Sequence, residues 1–110
     1  MERRDSAVLI RQFDICPLKR PRGPATHVVV LQHDGLSDLR TVLAAPLRPV
    51  NTQEPHPRLR PETHFAGKTY ALALDMLAVI DKSLLGDAAA SVEDCEYAIR
   101  RAIDMAFFGN

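Results

Sequence analysis

The side chains able to do chemistry are few and widely spaced. The chain carries four histidines, His27, His33, His56 and His64, and two cysteines, Cys16 and Cys95. It contains neither His-Glu-x-x-His nor Cys-x-x-Cys, the spacings that bring zinc ligands together on one element. His27 and His33 fall on one face if the strand between them is continuous. Six residues of strand at about 3.3 Å each would hold them roughly 20 Å apart, too far to share a metal. All four read as surface histidines. No Gly-x-x-x-x-Gly-Lys phosphate loop and no dinucleotide fingerprint is present. Asp75 and Asp81 are the one candidate acid pair. On neighbouring strands they could meet, but one solvated carboxylate and one turn carboxylate is the simpler account. The cysteines are too few and too distant for a disulfide framework and read as small buried thiols. No catalytic residue, metal ligand or cofactor follows from these patterns.

The clearest element in the chain is the last stretch, Ser91 to Asn110. Val92, Cys95, Ile99, Ala102, Ile103 and Ala106 recur at spacings of three and four, one apolar stripe of a helix. Arg100, Arg101 and Asp104 fall on the other side. Ser91 is the expected N-cap, with Asp94 three residues on to reach back to it. Glu93, Asp94 and Glu96 complement the helix dipole. Gly109 is the expected stop, since glycine takes the left-handed conformation that ends helices. Phe107 continues the 99, 103 spacing and is expected in the core. Phe108 points about 100° away and is expected to be exposed.

Upstream, the pattern is of short strands. Gln12 to Cys16 alternates Phe13 and Ile15 with Gln12 and Asp14, a half-buried strand. Pro17 to Pro24 holds three prolines, Gly23, Lys19, Arg20 and Arg22, and reads as a basic exposed loop. Val28-Val29-Val30-Leu31 suits a strand buried on both faces, and Asp34-Gly35 a turn. Thr41 to Leu47 is a strand whose Pro46 predicts an edge or a bulge. Pro49 to Pro57 is a connection, Arg58 to Phe65 an irregular strand, and Gly67-Lys68 the turn of a hairpin. Tyr70 to Ile80 is ambiguous. Its alanines and leucines favour helix, and its alternation of large and small residues favours strand. Asp81 to Leu85 reads as a short strand, and Gly86 to Ala90 as a loop into the final helix.

At 110 residues, 46% of them apolar, the chain is sized for one domain with a modest core. Lys+Arg and Asp+Glu both number 14, which excludes the basic excess of a general nucleic-acid binder. The halves differ: residues 1–60 have ten basic against six acidic residues, and residues 61–110 four against eight, so +4 faces −4. Met1 to Ile10 is too short in its apolar run for a signal peptide, and no stretch approaches about 20 apolar residues. A cytoplasmic location is expected.

The ending Ala102 to Asn110, Ala-Ile-Asp-Met-Ala-Phe-Phe-Gly-Asn, resembles the C-terminus of the CcdB family of toxins, where an aromatic pair, a glycine and one last residue close the chain. Arg11-Gln12-Phe13-Asp14-Ile15, followed by Lys19-Arg20, is similar to the family's first strand and basic turn. Leu74-Asp75-Met76-Leu77-Ala78-Val79 and Leu84-Leu85-Gly86 fall at family-like spacing. The resemblance spans most of Arg11 to Asn110, leaving Met1 to Ile10 as an N-terminal extension to a single domain over residues 11–110.

The resemblance implies an α+β, mainly β fold: a small antiparallel barrel-like sheet of about five strands, as in CcdB and MazF proteins, with a smaller sheet and a C-terminal helix. It makes Tyr70 to Ile80 strand, with a change of direction near Asp75-Met76. It implies a homodimeric, non-enzymatic toxin that poisons the cleavage–religation subunit of DNA gyrase and is neutralised by a CcdA-like antitoxin. No cofactor, no direct nucleic-acid contact and no membrane contact are implied. The family's gyrase contact falls on Phe108, Gly109 and Asn110. Two of these depart from the family pattern, since tryptophan usually stands at Phe108 and isoleucine at Asn110. The resemblance leaves two alternatives. One is a weakly toxic or inactive homologue that binds antitoxin. The other is a MazF-like endoribonuclease, which needs an arginine beside a threonine, serine or histidine. Arg20, Arg22, Arg58, Arg60 and His64 are the residues available for that.

Overall fold

The structure is a computed structural model and describes residues 10–21, 23–50 and 57–109. Seven strands form one antiparallel network: β1 (Asp14–Pro17), β2 (His27–Val30), β3 (Thr41–Pro49), β4 (Glu62–Phe65), β5 (Lys68–Leu72), β6 (Ala78–Asp81) and β7 (Ala90–Ser91). The helix α1 (Glu96–Phe108) follows. The order across the sheet is β4-β5-β3-β2-β1-β7, with β6 also on β3. The expected barrel-like sheet and terminal helix are present: β1, β2, β3, β6 and β7 form a five-stranded sheet, and β4, β5 and the end of β3 a smaller one, the two joined through β3.

Closure comes from one segment. β6 pairs with β3, Thr41 opposite Asp81 and Ala44 opposite Ala78. A few residues later Leu85 bridges Leu18, and β7 pairs with β1, Asp14 opposite Ser91. Residues 78–91 therefore touch both outer strands of β3-β2-β1 and fold that sheet on itself. Cys16, Val28, Val30, Val42, Ala44 and Leu85 fill the inside. Ile15, Val29, Ala45 and Leu47 point the other way and pack with Leu72, Leu74, Val92, Ile99 and Ala102 beneath the helix. β2 is thus buried on both faces, as its run of valines predicts.

Pro46 is not at an edge. β3 is central, with β2 on one side and β5 and β6 on the other. Leu31 N–H donates to Leu43 O at 2.8 Å, so alternate residues from Leu43 turn their backbone groups toward β2. Pro46 faces the opposite side, where its carbonyl accepts from Ala73 N–H at 2.9 Å. Its missing donor lies where β3 changes partners. Ala44 to Leu47 spans three steps on β3, while Ala78 to Leu72 spans six on the other side, so the partner carries three extra residues. They are the 3-10 turn Leu74–Met76. Tyr70 to Ile80 is consequently strand, turn and strand, and both strands run antiparallel to β3.

Other local expectations are revised. Asp81 to Leu85 is not a strand: Lys82–Leu84 form a 3-10 turn, capped by the Asp81 side chain accepting from Ser83 N–H at 2.9 Å. His33 is not on β2, which ends at Val30. Its Nδ1 accepts from Gly35 N–H at 2.9 Å and starts the turn Asp34–Leu36. The β4–β5 hairpin closes through Ala66 and Gly67 with φ of 52° and 78°, positive at both positions as a two-residue primed turn requires. Phe13 also has a positive φ, 72°, which costs an L-residue about 1–2 kcal/mol. Phe13 N–H donates to Val30 O at 2.6 Å, Phe13 O accepts from Val92 N–H at 2.8 Å, and the ring is buried. The strain is held by three elements at once.

Candidate functional site

The candidate site is the far end of α1, and what positions it is the first half of that helix. Ile99 and Ala102 are buried, and Cys95 and Ile103 are half-buried against the same cluster. Cys95 Sγ donates to Thr63 Oγ1 at 3.6 Å, tying the helix entry to β4. The α-helix begins at Glu96, later than Ser91. A 3-10 turn, Glu93–Cys95, intervenes, and Ser91 sits in β7 with its hydroxyl accepting from Glu93 N–H at 3.2 Å. Ser91 thus caps the entry turn rather than the α-helix. Among the described residues Asp94 makes no bond back to it.

Beyond Met105, which is still half-buried, the helix leaves the body of the protein. The inner stripe packs against the turns at Pro57–Leu59 and Leu74–Met76. Ala106, Phe107, Phe108 and Gly109 are all exposed. Phe108 is 73% exposed, matching its expected orientation. Phe107, expected in the core, is 63% exposed. Its spacing puts it near the apolar stripe, but the core ends before its turn of the helix. The two rings lie 6.4 Å apart with planes tilted by 48°. Gly109 has φ of 73°, and its N–H donates to Met105 O at 3.1 Å, the left-handed end that glycine allows. Asn110 lies outside the described residues.

Steps of four, three and four residues bring Tyr97, Arg101, Asp104 and Phe108 onto one helix face. Tyr97 is 71% exposed. The Arg101 guanidinium stands 5.6 Å above its ring, and Arg101 Nη1 donates to the tyrosine hydroxyl at 3.2 Å. Next to it Glu96 and Arg100 pair at 2.7 Å. The tip therefore adjoins a surface that offers two aromatic rings, a cation and a carboxylate. Sequence reasoning missed Tyr97 and Arg101 as part of this face, although their spacing from Phe108 was available.

The groups with catalytic potential are dispersed. Arg60 grips Asp75 through two contacts, Nε to Oδ1 at 2.9 Å and Nη2 to Oδ2 at 3.0 Å. Asp75 is therefore turned to Arg60, while Asp81 caps the Lys82–Leu84 turn, and they form no acid pair. The Ser83 N–H, aided by the Arg40 charge, lowers the pKa of Asp81. His64 Nδ1 meets Thr69 Oγ1 at 3.0 Å, and His27 meets Thr26 Oγ1 at 2.9 Å and packs edge-on to Phe65 with ring centroids 4.9 Å apart. Arg20 and Arg58 are exposed, while Arg22 and His56 are outside the described residues. Among the described residues no three His, Cys, Asp or Glu side chains gather as a metal site. Burial, reinforced by Asp14 and Asp87, pushes the Cys16 thiol up from 9.0 to about 11, so it is no nucleophile at neutral pH.

The family described as CcdB protein matches residues 12–109. The chain belongs to the CcdB family. No curated protein matches the sequence. Among solved structures, this CcdB-family chain is similar to an endoribonuclease in complex with its cognate antitoxin, from a mycobacterial species. The TM-score is 0.71 at 13% identity, over 89% of this chain and 94% of that one. At that identity the likeness concerns the fold alone. Among the described residues of this CcdB-family chain, no helix is long and apolar enough to cross a membrane.

Proposed function

We propose that this CcdB-family chain is a toxin that binds the cleavage–religation subunit of DNA gyrase and traps the enzyme on cleaved DNA. The proposed contact is Phe108, Gly109 and Asn110, and the protein acts as a cytoplasmic homodimer neutralised by a CcdA-like antitoxin. The observation that supports this reading is the exposed aromatic end of α1, continuous with a first half that Ile99 and Ala102 anchor in the core. A ring at 73% exposure can stack on a partner guanidinium, a contact worth about 0.5–2 kcal/mol. Such a mechanism is binding and needs no nucleophile, in keeping with the dispersed catalytic groups. Phe108 in place of tryptophan, and Asn110 in place of isoleucine, predict weaker poisoning than the family pattern would give. An amide in place of a buried aliphatic group forfeits about 1.5–3 kcal/mol.

The likeness to an endoribonuclease toxin favours one second reading, RNA cleavage. One experiment separates them. Gyrase supercoiling and DNA-cleavage assays compare the full chain with a chain truncated after Phe107. Linear DNA that accumulates with the full chain and disappears on truncation is the expected result. RNA cleavage by the purified protein, without any topoisomerase, would overturn the gyrase reading.

A further inference from the structure

Among the described residues a single enclosed side-chain polar atom has no hydrogen-bond partner, Arg48 Nε. Arg48 stands on β3 opposite Ala71 of β5 and is half-buried. An enclosed donor left unpaired is costly, and more so on a charged group. The rest of the guanidinium is poorly served too. Its Nη1 donates to the Met76 thioether sulfur at 3.3 Å, and a thioether is a weak acceptor. No carboxylate pairs with Arg48 among the described residues. Met76 ends the 3-10 turn Leu74–Met76 and is 43% exposed. The turn is well held. Met76 N–H donates to Ala73 O at 2.9 Å, and Arg60 grips the neighbouring Asp75. A sulfide open to solvent is thus fixed against a cation that lacks a good acceptor.

We propose that Met76 is a reversible oxidation site, with a hydroperoxide as the oxidant and Arg48 as the group that holds the sulfoxide. Arg48 engages one lone pair of the sulfur, and a second remains to react. That pair attacks one peroxide oxygen, and the S–O bond forms as the O–O bond breaks. The proton of the transferred oxygen leaves with the second oxygen, as water when the oxidant is hydrogen peroxide. The sulfur gives up two electrons and the peroxide takes them. The sulfoxide oxygen is a much stronger acceptor than the sulfur it is built on. A charge-assisted N–H···O bond therefore replaces the N–H···S contact. Methionine oxidation ordinarily harms a packed site by adding a polar group to it. Here the polar oxygen arrives at a cation that lacks an acceptor. The inner stripe of α1 packs against this same turn, so the oxidation state of Met76 sets how firmly the seat of the helix is tied to β3. A methionine sulfoxide reductase reverses the change. Nothing in this depends on the gyrase reading.

The test exposes the full chain to hydrogen peroxide and follows each methionine separately by peptide mass spectrometry. Met76 is expected to gain oxygen about threefold faster, or more, than Met105, which is half-buried in α1. The Met76 sulfoxide form is expected to melt about 2–4 °C above the reduced form, and treatment with a methionine sulfoxide reductase to remove that rise. The Arg48 Nε–H resonance is expected to move on oxidation and to return on reduction. Arg48→Ala is expected to abolish the rise in melting temperature. Met76→Gln keeps the test independent of that half-buried arginine. Its amide oxygen stands in for the sulfoxide oxygen, so it is expected to melt as high as the oxidised wild type and to gain nothing from peroxide. Cys95 is half-buried and can react as well. A peroxide response that persists in Met76→Gln would assign the effect elsewhere and overturn the proposal. Met105 reacting first, a melting temperature that stays level or falls when Met76 is oxidised, or a rise that survives in Arg48→Ala would overturn it too.

Discussion

In the Phe108→Ala protein the fold should lose almost nothing, because the ring that is removed stands 73% exposed in the free chain. Surface changes of this kind stay within about 0.5 kcal/mol, or some 2 °C in the melting temperature of a domain this size. Recognition should suffer far more. Burying a phenylalanine side chain fully is worth about 1.5–3 kcal/mol, and the exposed fraction leaves about 1–2 kcal/mol to be gained on docking. A guanidinium on the ring adds about 0.5–2 kcal/mol. The substitution should therefore weaken the proposed gyrase contact by about 1.5–4 kcal/mol, or about 10- to 700-fold at 1.4 kcal/mol per tenfold. The assay is a titration of toxin into gyrase-mediated DNA cleavage, paired with a melting curve of each protein. Phe108→Trp should move the titration midpoint the other way, toward tighter binding. A midpoint that shifts by less than about threefold in Phe108→Ala, with the melting curve intact, would show that the ring is not the anchor. A large fall in melting temperature would refute the claim that the ring is outside the core.

Three further outcomes follow from the packing. Ile99→Ala empties a buried site beneath the helix and should cost about 2–5 kcal/mol, seen as a lower urea midpoint with an unchanged slope. Ala66→Asn should stabilise the β4–β5 hairpin by up to about 1 kcal/mol in the same measurement, since asparagine tolerates the φ of 52° that alanine resists. Cys16 is raised in the fold from 9.0 to about 11, chiefly by burial, so its thiol must stay neutral there while the unfolded chain ionises. Its stabilising contribution is complete below pH 9 and lost as pH rises toward 11; at 1.36 kcal/mol per pH unit that is at most about 2.7 kcal/mol, removed in Cys16→Ser.

How much of this was legible in the sequence depends on where the deciding interaction lies. Val28 to Val30 declared a doubly buried strand, and the 92, 95, 99, 102 spacing a helix stripe, because both are set by burial periodicity. Gly109 declared its stop through its own conformational freedom. Phe107 misled because periodicity says which way a ring points but not how far the core extends beneath it. Pro46 was legible in part: its missing donor predicts an edge or a bulge, and the strand is central, with three extra residues on the partner side at that point. Ser91 and Asp81 each have a polar side chain that caps a short 3-10 turn, and local sequence does not distinguish that from capping an α-helix or continuing a strand. The tip was found through family resemblance to its last residues. Its neighbouring face, Tyr97 and Arg101, needed only helical geometry and was overlooked.

The closing segment has a consequence for how the chain is made. Asp14 pairs with Ser91, 77 positions later, so the first strand has no partner on that side until nearly the whole chain exists. At about 5–20 residues per second, synthesis keeps it waiting for roughly 4–15 s. A contact of such long sequence range is slow to form even then. Lengthening the wait, by slowing synthesis between β2 and β7, should raise aggregation of the nascent chain without altering the stability of the finished protein. The helix follows the clasp in sequence, and its inner face needs Phe13, Ile15 and Val92 already gathered. The order of synthesis thus places the proposed contact face of α1 after every strand that its inner face packs on.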